Sequence, residues 1–238
     1  MINFFRKKRK LLADENKSLK YARYAFGEII LVVIGILIAL SINNWNDLRK
    51  SKKYEKEILF LIDQNLKSDS LSLSIELYKA TEAVLLTDRL LEQVALKNYN
   101  DSLNIWMGKI ICFEQFKSQS SAFEVLKSKG LEIISDNKLQ LALISYYDQS
   151  LYKTYQSLND VEESFKVDWI PVIKQDFLDF KWRAYCKPID SKTFFEKQST
   201  ITFFKLYNDN RAGIVLNIQL ALDKITETRG LIKKQLKK

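Results

Sequence analysis

The sequence predicts an all-α protein: a single N-terminal transmembrane helix continuing toward an extracytoplasmic helical bundle. Three observations predict it. Helix breakers are scarce, with 6 Gly and 2 Pro in 238 residues. Residues 29–42 run for 14 positions without a charge or a proline. Beyond that run, apolar residues recur at threes, fours and a heptad step, and no strand-like alternation is sustained.

The membrane segment comes first. A spanning helix needs about 20 mostly apolar residues, so the flanks of the run must contribute. Extended to Tyr24–Trp45, the segment holds one ionisable residue, Glu28. Tyr21, Tyr24 and Phe26 at one end and Trp45 at the other suit the two interfaces of a bilayer. The alternatives are a buried core helix and a cleaved signal peptide. The basic flanks and bracketing aromatics argue against the first. Bulky Ile42 and Trp45 make a poor small-x-small cleavage site, which favours an uncleaved signal anchor. Lys and Arg near the N-terminal end number eight, from Arg6 to Arg23, against five from Arg49 to Lys56. That bias predicts a cytoplasmic N-terminus, a periplasmic C-terminal domain and an inner-membrane location. The resulting organisation is a basic head over 1–23, an anchor over 24–45 and a helical bundle domain over 46–238.

The bundle domain follows. With about 45 residues set aside, roughly 190 remain, enough for one domain with its own core. Leu59, Ile62, Leu66, Leu73, Leu77, Ala80, Val84, Leu91 and Val94 form the stripe of a long first helix. Ser68-Asp69-Ser70 is a point where it is expected to break or kink, and Asn98–Ser102 ends it with turn-forming residues. A short helix follows within Leu103–Phe116. A serine among Ser118–Ser121 is expected to cap the helix Ala122–Lys129, which Gly130 ends. Asp136 opens a longer helix with the stripe Ile144, Tyr147, Leu151, Tyr155, Leu158, Val161 and Phe165. Pro171 and Pro188 bracket an aromatic region with Trp169, Phe177, Phe180, Trp182 and Tyr185. Residues 186–199 read as a connection. Asn208-Asp209-Asn210 is expected to precede the final helix, whose stripe is Ile214, Ile218, Leu222, Ile225, Ile232 and Leu236.

Charge excludes one class of partner. The net +9 resides mostly in residues 1–23 (+6) and 24–56 (+2), leaving +1 for the remainder. Basic residues beside a membrane meet anionic headgroups at about 1 kcal/mol each. The domain itself has no basic stripe, so membrane lipid, not nucleic acid, is the expected partner. Chemistry is equally constrained. The chain has no histidine, which removes Ser-His-Asp and Cys-His systems and His-containing metal sites. The six glycines are scattered and build no phosphate loop. Glu162-Glu163 reads as a solvated helix face. Cys112 and Cys186 read as two buried free thiols, although a disulfide is open to them outside the cytoplasm. No catalytic residue, cofactor or metal is therefore expected, and the chain is read as no enzyme.

Three stretches resemble a known family. They are Ile2–Lys7, the anchor Tyr24–Leu40 with its Asn43-Asn44-Trp45-Asn46 exit, and Ser121–Leu131 followed by Ile133-Ile134 and Tyr146-Tyr147. Together they resemble uncharacterised single-pass membrane proteins of Bacteroidota, the domain-of-unknown-function family 6090. The resemblance implies an anchored helical domain and supplies no activity.

The residues with functional character lie in the anchor. Glu28 is an ionisable group in an apolar helix, where such groups pair, reach the headgroups or serve function. Gly27, Leu31, Gly35 and Ala39 share a face, and Gly35 with Ala39 makes a small-xxx-small patch that lets helices approach. Gly27, Glu28, Gly35 and Ala39 are thus the candidates for membrane-helix association, in a homo-oligomer or with another envelope protein. The first functional reading is an envelope scaffold, assembly or interaction protein. A second is a sensor-like domain binding a small ligand in the aromatic region 169–185. A third, an envelope enzyme, has no motif behind it. The topology has a direct check: a C-terminal fusion to a reporter active only in the cytoplasm is expected to stay dark, and a bright fusion reverses it.

Overall fold

The computed structural model describes Lys7 and residues 18–237, with side-chain surroundings from Ala22 onward. The Ile2–Lys7 motif and the Arg6–Lys10 head, Lys7 apart, lie outside the described residues. The described chain is predominantly helical, as expected, with one two-stranded sheet. It divides into two compact units, one ending at Tyr54 and one beginning at Glu55.

The first unit is built on the N-terminal part of helix α1, Ser18–Ala95. From Ala22 this helix is long and apolar enough to cross a membrane, with a window of mean hydropathy 2.7 of which nothing is buried. Every large apolar residue from Ile29 to Ile42 is 44–68% exposed. A core helix of a soluble domain would bury such a run, whereas this surface suits hydrocarbon. At its far end Ser41 Oγ donates to the Leu37 carbonyl at 2.8 Å and Asn43 Nδ2 to Asp47 at 3.1 Å. The polar groups of the Asn-Asn exit thus begin to find partners within the helix itself.

In the second unit the remainder of α1 is followed by α2 (Ser102–Ile110), α3 (Ser121–Lys129) and α4 (Asn137–Ile144). A π turn, Ser145–Ser150, leads to α5 (Leu151–Ser164), and a second, Phe165–Trp169, to α6 (Ile170–Asp176). The hairpin β1 (Phe177–Lys181) and β2 (Tyr185–Pro188), α7 (Ser191–Glu196) and α8 (Gln198–Leu236) complete it. α1 and α8 run antiparallel. Glu55 accepts from Gln235 at 2.9 Å, Asp63 from Arg229 at 2.8 Å and Asp88 from Asn208 at 3.1 Å, so ascending one helix descends the other. The core stripe of α1 buries Leu59, Ile62, Leu66, Leu73, Ala80 and Val94 as expected. Leu77, Val84 and Leu91 are only half-buried, and Ala83, Leu86 and Leu90 take the inner positions. On α8, Ile214, Ile218, Ile225 and Ile232 are buried, while Leu222 and Leu236 are half-buried.

Two local expectations hold for the reasons given. Asp136 caps α4, its carboxylate accepting from the backbone N–H groups of Lys138 and Leu139. Gly130 ends α3 at φ 107°, a region that L side chains avoid. The serine cap of α3 does not form: Ser120 stands at the N-cap position and makes no side-chain bond to the helix.

Four expectations are corrected. Ser68-Asp69-Ser70 does not interrupt α1. Asp69 is 1% exposed and spends its carboxylate on Ser118 Oγ, on the Gln119 N–H at 2.7 Å and on the Tyr146 hydroxyl at 2.7 Å, leaving nothing to compete with its own backbone. Asn208-Asp209-Asn210 lies inside α8, because Asn208 and Asn210 donate to Asp88 and to Ser164 (3.2 Å), again away from the local backbone. The region 177–188 is an antiparallel hairpin, with Lys181 opposite Tyr185 and Phe180 opposite Cys186. Its turn is closed by Arg183 at φ 56°, without glycine or asparagine to announce it. Within 186–199, taken as a connection, Asp190 accepts from the Thr193 N–H at 2.6 Å and caps α7.

Gly108 sets the hairpin against α2. A Cβ there would run into the backbone of Ala184 and Tyr185, so only glycine lets helix and strand meet backbone to backbone. The Asp69 clasp carries a comparable constraint between α1, the segment before α3 and the first π turn. Asp69→Ala leaves a buried tyrosine hydroxyl and a backbone N–H without their acceptor. The expected loss is about 2–4 kcal/mol of stability, read by denaturant unfolding of the detergent-solubilised chain; Tyr146→Phe is expected to lose about 1 kcal/mol.

Candidate functional site

The anchor candidates are found on the exposed surface of α1. Gly27 and Gly35 have open space where a Cβ would stand, and Glu28 is half-exposed. Gly35 and Ala39, four residues apart in an unbroken helix, share a face as the sequence indicated. A substituent at Gly35 therefore meets nothing within the chain, and the effect of one is read only in what the helix touches outside it.

The deepest polar cluster lies in the second unit. Arg211 of α8 has no solvent exposure. Its Nε faces Glu114 Oε2 at 3.3 Å, its Nη1 donates to the Ile110 carbonyl at 2.9 Å, and its Nη2 donates to the Cys112 carbonyl. The Tyr207 hydroxyl donates to the same Cys112 carbonyl, and its ring lies 4.7 Å from the guanidinium carbon. Burial works against the Arg211 charge, yet the Glu114 carboxylate and the neighbouring groups outweigh it and hold its pKa above the ordinary value. The arrangement pins the non-helical segment after α2 to α8. That segment presents Glu114, which also lies 3.9 Å from Arg183 of the hairpin turn. Arg183 Nη2 in turn donates to the Phe113 carbonyl at 2.6 Å.

Beside this cluster lies a cleft of about 540 Å³. One wall is the segment Glu114–Lys117 and the other is α5, through Tyr155, Leu158, Asn159 and Glu162. Phe116 and Tyr155 stack across it, ring centroids 6.0 Å apart and planes 25° from parallel. The Tyr155 hydroxyl accepts from the Ser118 N–H at 2.9 Å, and Glu162 pairs with Lys166 at 2.7 Å. Burial raises the Tyr155 phenol above its usual range, with the Asp69 charge adding to the rise.

The aromatic region 169–185, expected as a possible ligand frame, packs upon itself and its neighbours. Trp169 is 1% exposed and sits 4.9 Å from the Phe204 ring and 5.9 Å from Tyr207. Trp182 meets Phe113 at 5.0 Å and Phe165 at 5.1 Å, edge to face. None of these residues lines the cleft. Cys112 and Cys186 are both buried and free. Burial raises both thiols, and only for Cys112 does the Arg211 charge oppose it. Among the described residues no three His, Cys, Asp or Glu side chains gather to hold a metal.

The α3 stretch of the resemblance forms part of this architecture. The Phe123 and Tyr147 rings stack 4.3 Å apart and 7° from parallel, and Lys127 pairs with Asp148 at 3.0 Å. α3 thus docks on the first π turn. A family of unknown function, DUF6090, matches residues 28–166, more than half of the chain. The chain belongs to DUF6090. The match begins at Glu28 and runs through α5, so it contains both walls of the cleft, the Asp69 clasp and the stacked Phe123–Tyr147 pair. The hairpin and Arg211, which fix Glu114 from the far side, fall outside the DUF6090 match. No curated protein and no solved structure matches the chain.

The sequence reading missed Glu114 and Arg211. The available signal was one carboxylate directly after the apolar run Ile110–Phe113 and two residues before Phe116, a place where a charge needs a buried partner.

The buried phenols dictate an alkaline limit. Burial raises Tyr146, Tyr147 and Tyr207 above the ordinary tyrosine value, for the first two with the Asp69 charge adding to it. A group whose folded pKa is raised contributes stability that is whole below its unfolded pKa, about 10 for tyrosine, and is lost as pH rises toward the folded one. The chain is therefore expected to lose stability progressively above about pH 10, followed by circular dichroism, with a step in tyrosinate absorbance, that of the buried phenols, accompanying unfolding. Unfolding without such a step would contradict it.

Proposed function

We propose that the chain is a single-pass, inner-membrane protein with a periplasmic helical domain, that it acts by interaction and not by catalysis, and that its first partner is a second copy of itself. The observation that carries this reading is a second apolar stripe on α1, opposite the core stripe. Leu71, Tyr78 and Leu85 stand seven residues apart, with Ile75 between them, and are 55–69% exposed. Seven-residue spacing keeps one face of a helix turned toward a partner helix, as in a coiled coil. A membrane anchor supplies the second support: two copies held in one bilayer face each other at high effective concentration, so a modest seam is enough. The small residues Gly27, Gly35 and Ala39 offer a second contact within the bilayer. The location follows the excess of basic residues before the anchor and the resemblance described above.

A purely catalytic role would give this exposed stripe nothing to do, and a partner of another sequence would have to match it with an apolar helix of its own. The full chain in mild detergent is expected to run as a dimer by light scattering. Tyr78→Lys with Leu85→Lys removes two side chains that the proposed dimer buries, each contributing up to about 1.5–3 kcal/mol, and is expected to yield a folded monomer. Gly35→Ile is expected to weaken the dimer further. A wild-type monomer, or a dimer indifferent to all three substitutions, refutes the reading; a stoichiometric complex with a different envelope protein through this stripe replaces the partner named here.

A further inference from the structure

We propose that Lys109, reaching in from α2, makes the exposed stripe of α1 a seam for a second copy of this chain running parallel to it, by neutralising the carboxylate layer that such pairing creates at Glu82. This role rests on the self-association reading above. The starting point is the frame of the stripe. Steps of four and three lead from Leu71 through Ile75, Tyr78, Glu82 and Leu85 to Arg89, and these are the two core positions of a heptad repeat. The same steps lead back from Leu71 to Leu61, which is also exposed. From Leu71 to Arg89 every position of the frame is exposed except Glu82, which is half-buried. The group beside Glu82 comes from another element: Lys109 Nζ lies 2.6 Å from its Oε1.

Orientation makes Glu82 critical. Copies anchored by their N-terminal segments in one bilayer pair parallel, and in register each core position faces its own counterpart. Ile75, Tyr78 and Leu85 then form apolar layers. At Glu82 two carboxylates meet, and like charges brought together away from water oppose the pairing. Each copy also carries the counter-charge. Lys109 has three N–H donors on a flexible stem, so from beside the seam it can serve its own Glu82 and the partner's Glu82 together. Two carboxylates and two ammonium groups leave the layer neutral. The neighbouring cations of α1 are placed otherwise. Lys79, one turn back, is engaged with Glu76 at 2.7 Å. Arg89 lies two turns on, with Glu92 three residues beyond to offset it. In a single chain the Lys109–Glu82 pair is 41% and 32% exposed, and an ion pair so placed contributes little to folding. A single charged layer within an apolar seam instead decides which partner and which register are accepted.

The test measures the dimer dissociation constant of the full chain in mild detergent by sedimentation equilibrium, for the wild type, Lys109→Met, Glu82→Gln and the double variant. Lys109→Met leaves two facing carboxylates without a cation and is expected to weaken the dimer by at least about tenfold. Glu82→Gln removes the repulsion itself, while the half-exposed Lys109 can turn to water. It is expected to stay within about threefold of the wild type, and to bring the Lys109→Met chain back into that range. A pair that only ties α2 to α1 within one chain would make the two single substitutions equivalent and leave the double variant without rescue. Circular dichroism is expected to be unchanged throughout. The parallel register has its own readout. Ser68→Cys, one step before Leu71 in the frame, is expected to cross-link to its counterpart in membranes under a copper–phenanthroline oxidant; the native Cys112 and Cys186 are buried. The proposal is overturned if Lys109→Met dimerises like the wild type, if Glu82→Gln does not rescue it, or if Ser68→Cys does not cross-link. A wild-type chain that stays monomeric overturns the self-association reading and this role together. A wild-type dimer that Tyr78→Lys with Leu85→Lys dissociates, and that Lys109→Met leaves intact, overturns this role alone.

Discussion

A guanidinium shut off from water must find partners for its N–H groups inside the protein, and Arg211 does so by drawing in a stretch of chain that has no secondary structure of its own. Its partners are the carbonyls of Ile110 and Cys112 and the carboxylate of Glu114. Breaking a buried pair of this kind by removing one member typically costs about 3–5 kcal/mol, because the survivor keeps its charge without its counterion. The segment after α2 therefore has little freedom to move away from α8. Its position fixes Glu114, and Glu114 together with Phe116 fixes one wall of the cleft. The hairpin is held from the same place, through Arg183 to the Phe113 carbonyl and through the backbone contact at Gly108.

The same logic runs along α1. Glu55, Asp63, Asp69, Glu82 and Asp88 each face a partner distant in sequence: Gln235, Arg229, Tyr146, Lys109 and Asn208. A helix with one apolar stripe can slide or rotate against its neighbours at small cost. Acceptors placed along its length and matched to donors on other elements remove that freedom, since a slip of one turn would leave several of them unmet at once. The apolar stripes supply most of the driving force for the packing, and the carboxylates define its register.

What was legible in the sequence divides along this line. The stripes of α1, α5 and α8, the Asp136 cap and the Gly130 terminus are local patterns whose causes lie within a few residues; the cap and terminus form as expected, and the stripes do so in most of their residues, with Leu77, Val84, Leu91, Leu222 and Leu236 half-buried and Tyr155 exposed. Ser68-Asp69-Ser70 and Asn208-Asp209-Asn210 were read as breaks because polar side chains in water compete with their own backbone. In the fold Asp69 and Asn208 turn instead to groups 49 to 120 residues away, and no local pattern carries that information. The hairpin escaped for a related reason: its turn is Trp182-Arg183-Ala184, and the positive φ of Arg183 is imposed by its surroundings and not by residue type. The small-residue face of the anchor was legible, but the cleft was not, since its walls come from a loop and a helix about forty residues apart.

The two π turns show how a spacing in the sequence becomes a shape. Between them the buried residues Leu151, Thr154, Leu158 and Val161 alternate steps of three and four, which a helix of 3.6 residues per turn follows closely. Through the first π turn the buried residues Leu143, Tyr147 and Leu151 step by four and four, and through the second Val161, Phe165 and Trp169 do the same. On an ordinary helix each step of four overshoots by about 40°, so two in succession turn the buried face by about 80°, toward the edge of an apolar stripe. A wider turn absorbs the overshoot and keeps Tyr147 and Trp169 inside. α5 between them then keeps its own register, with Leu158 buried, Asn159 turned outward and Tyr155 39% exposed against Phe116. Had the helix stayed regular through Ser145–Ser150, the face that α5 shows to Glu114–Lys117 would be rotated, and Tyr155 and Asn159, one turn apart on that face, would turn away from Glu114 together.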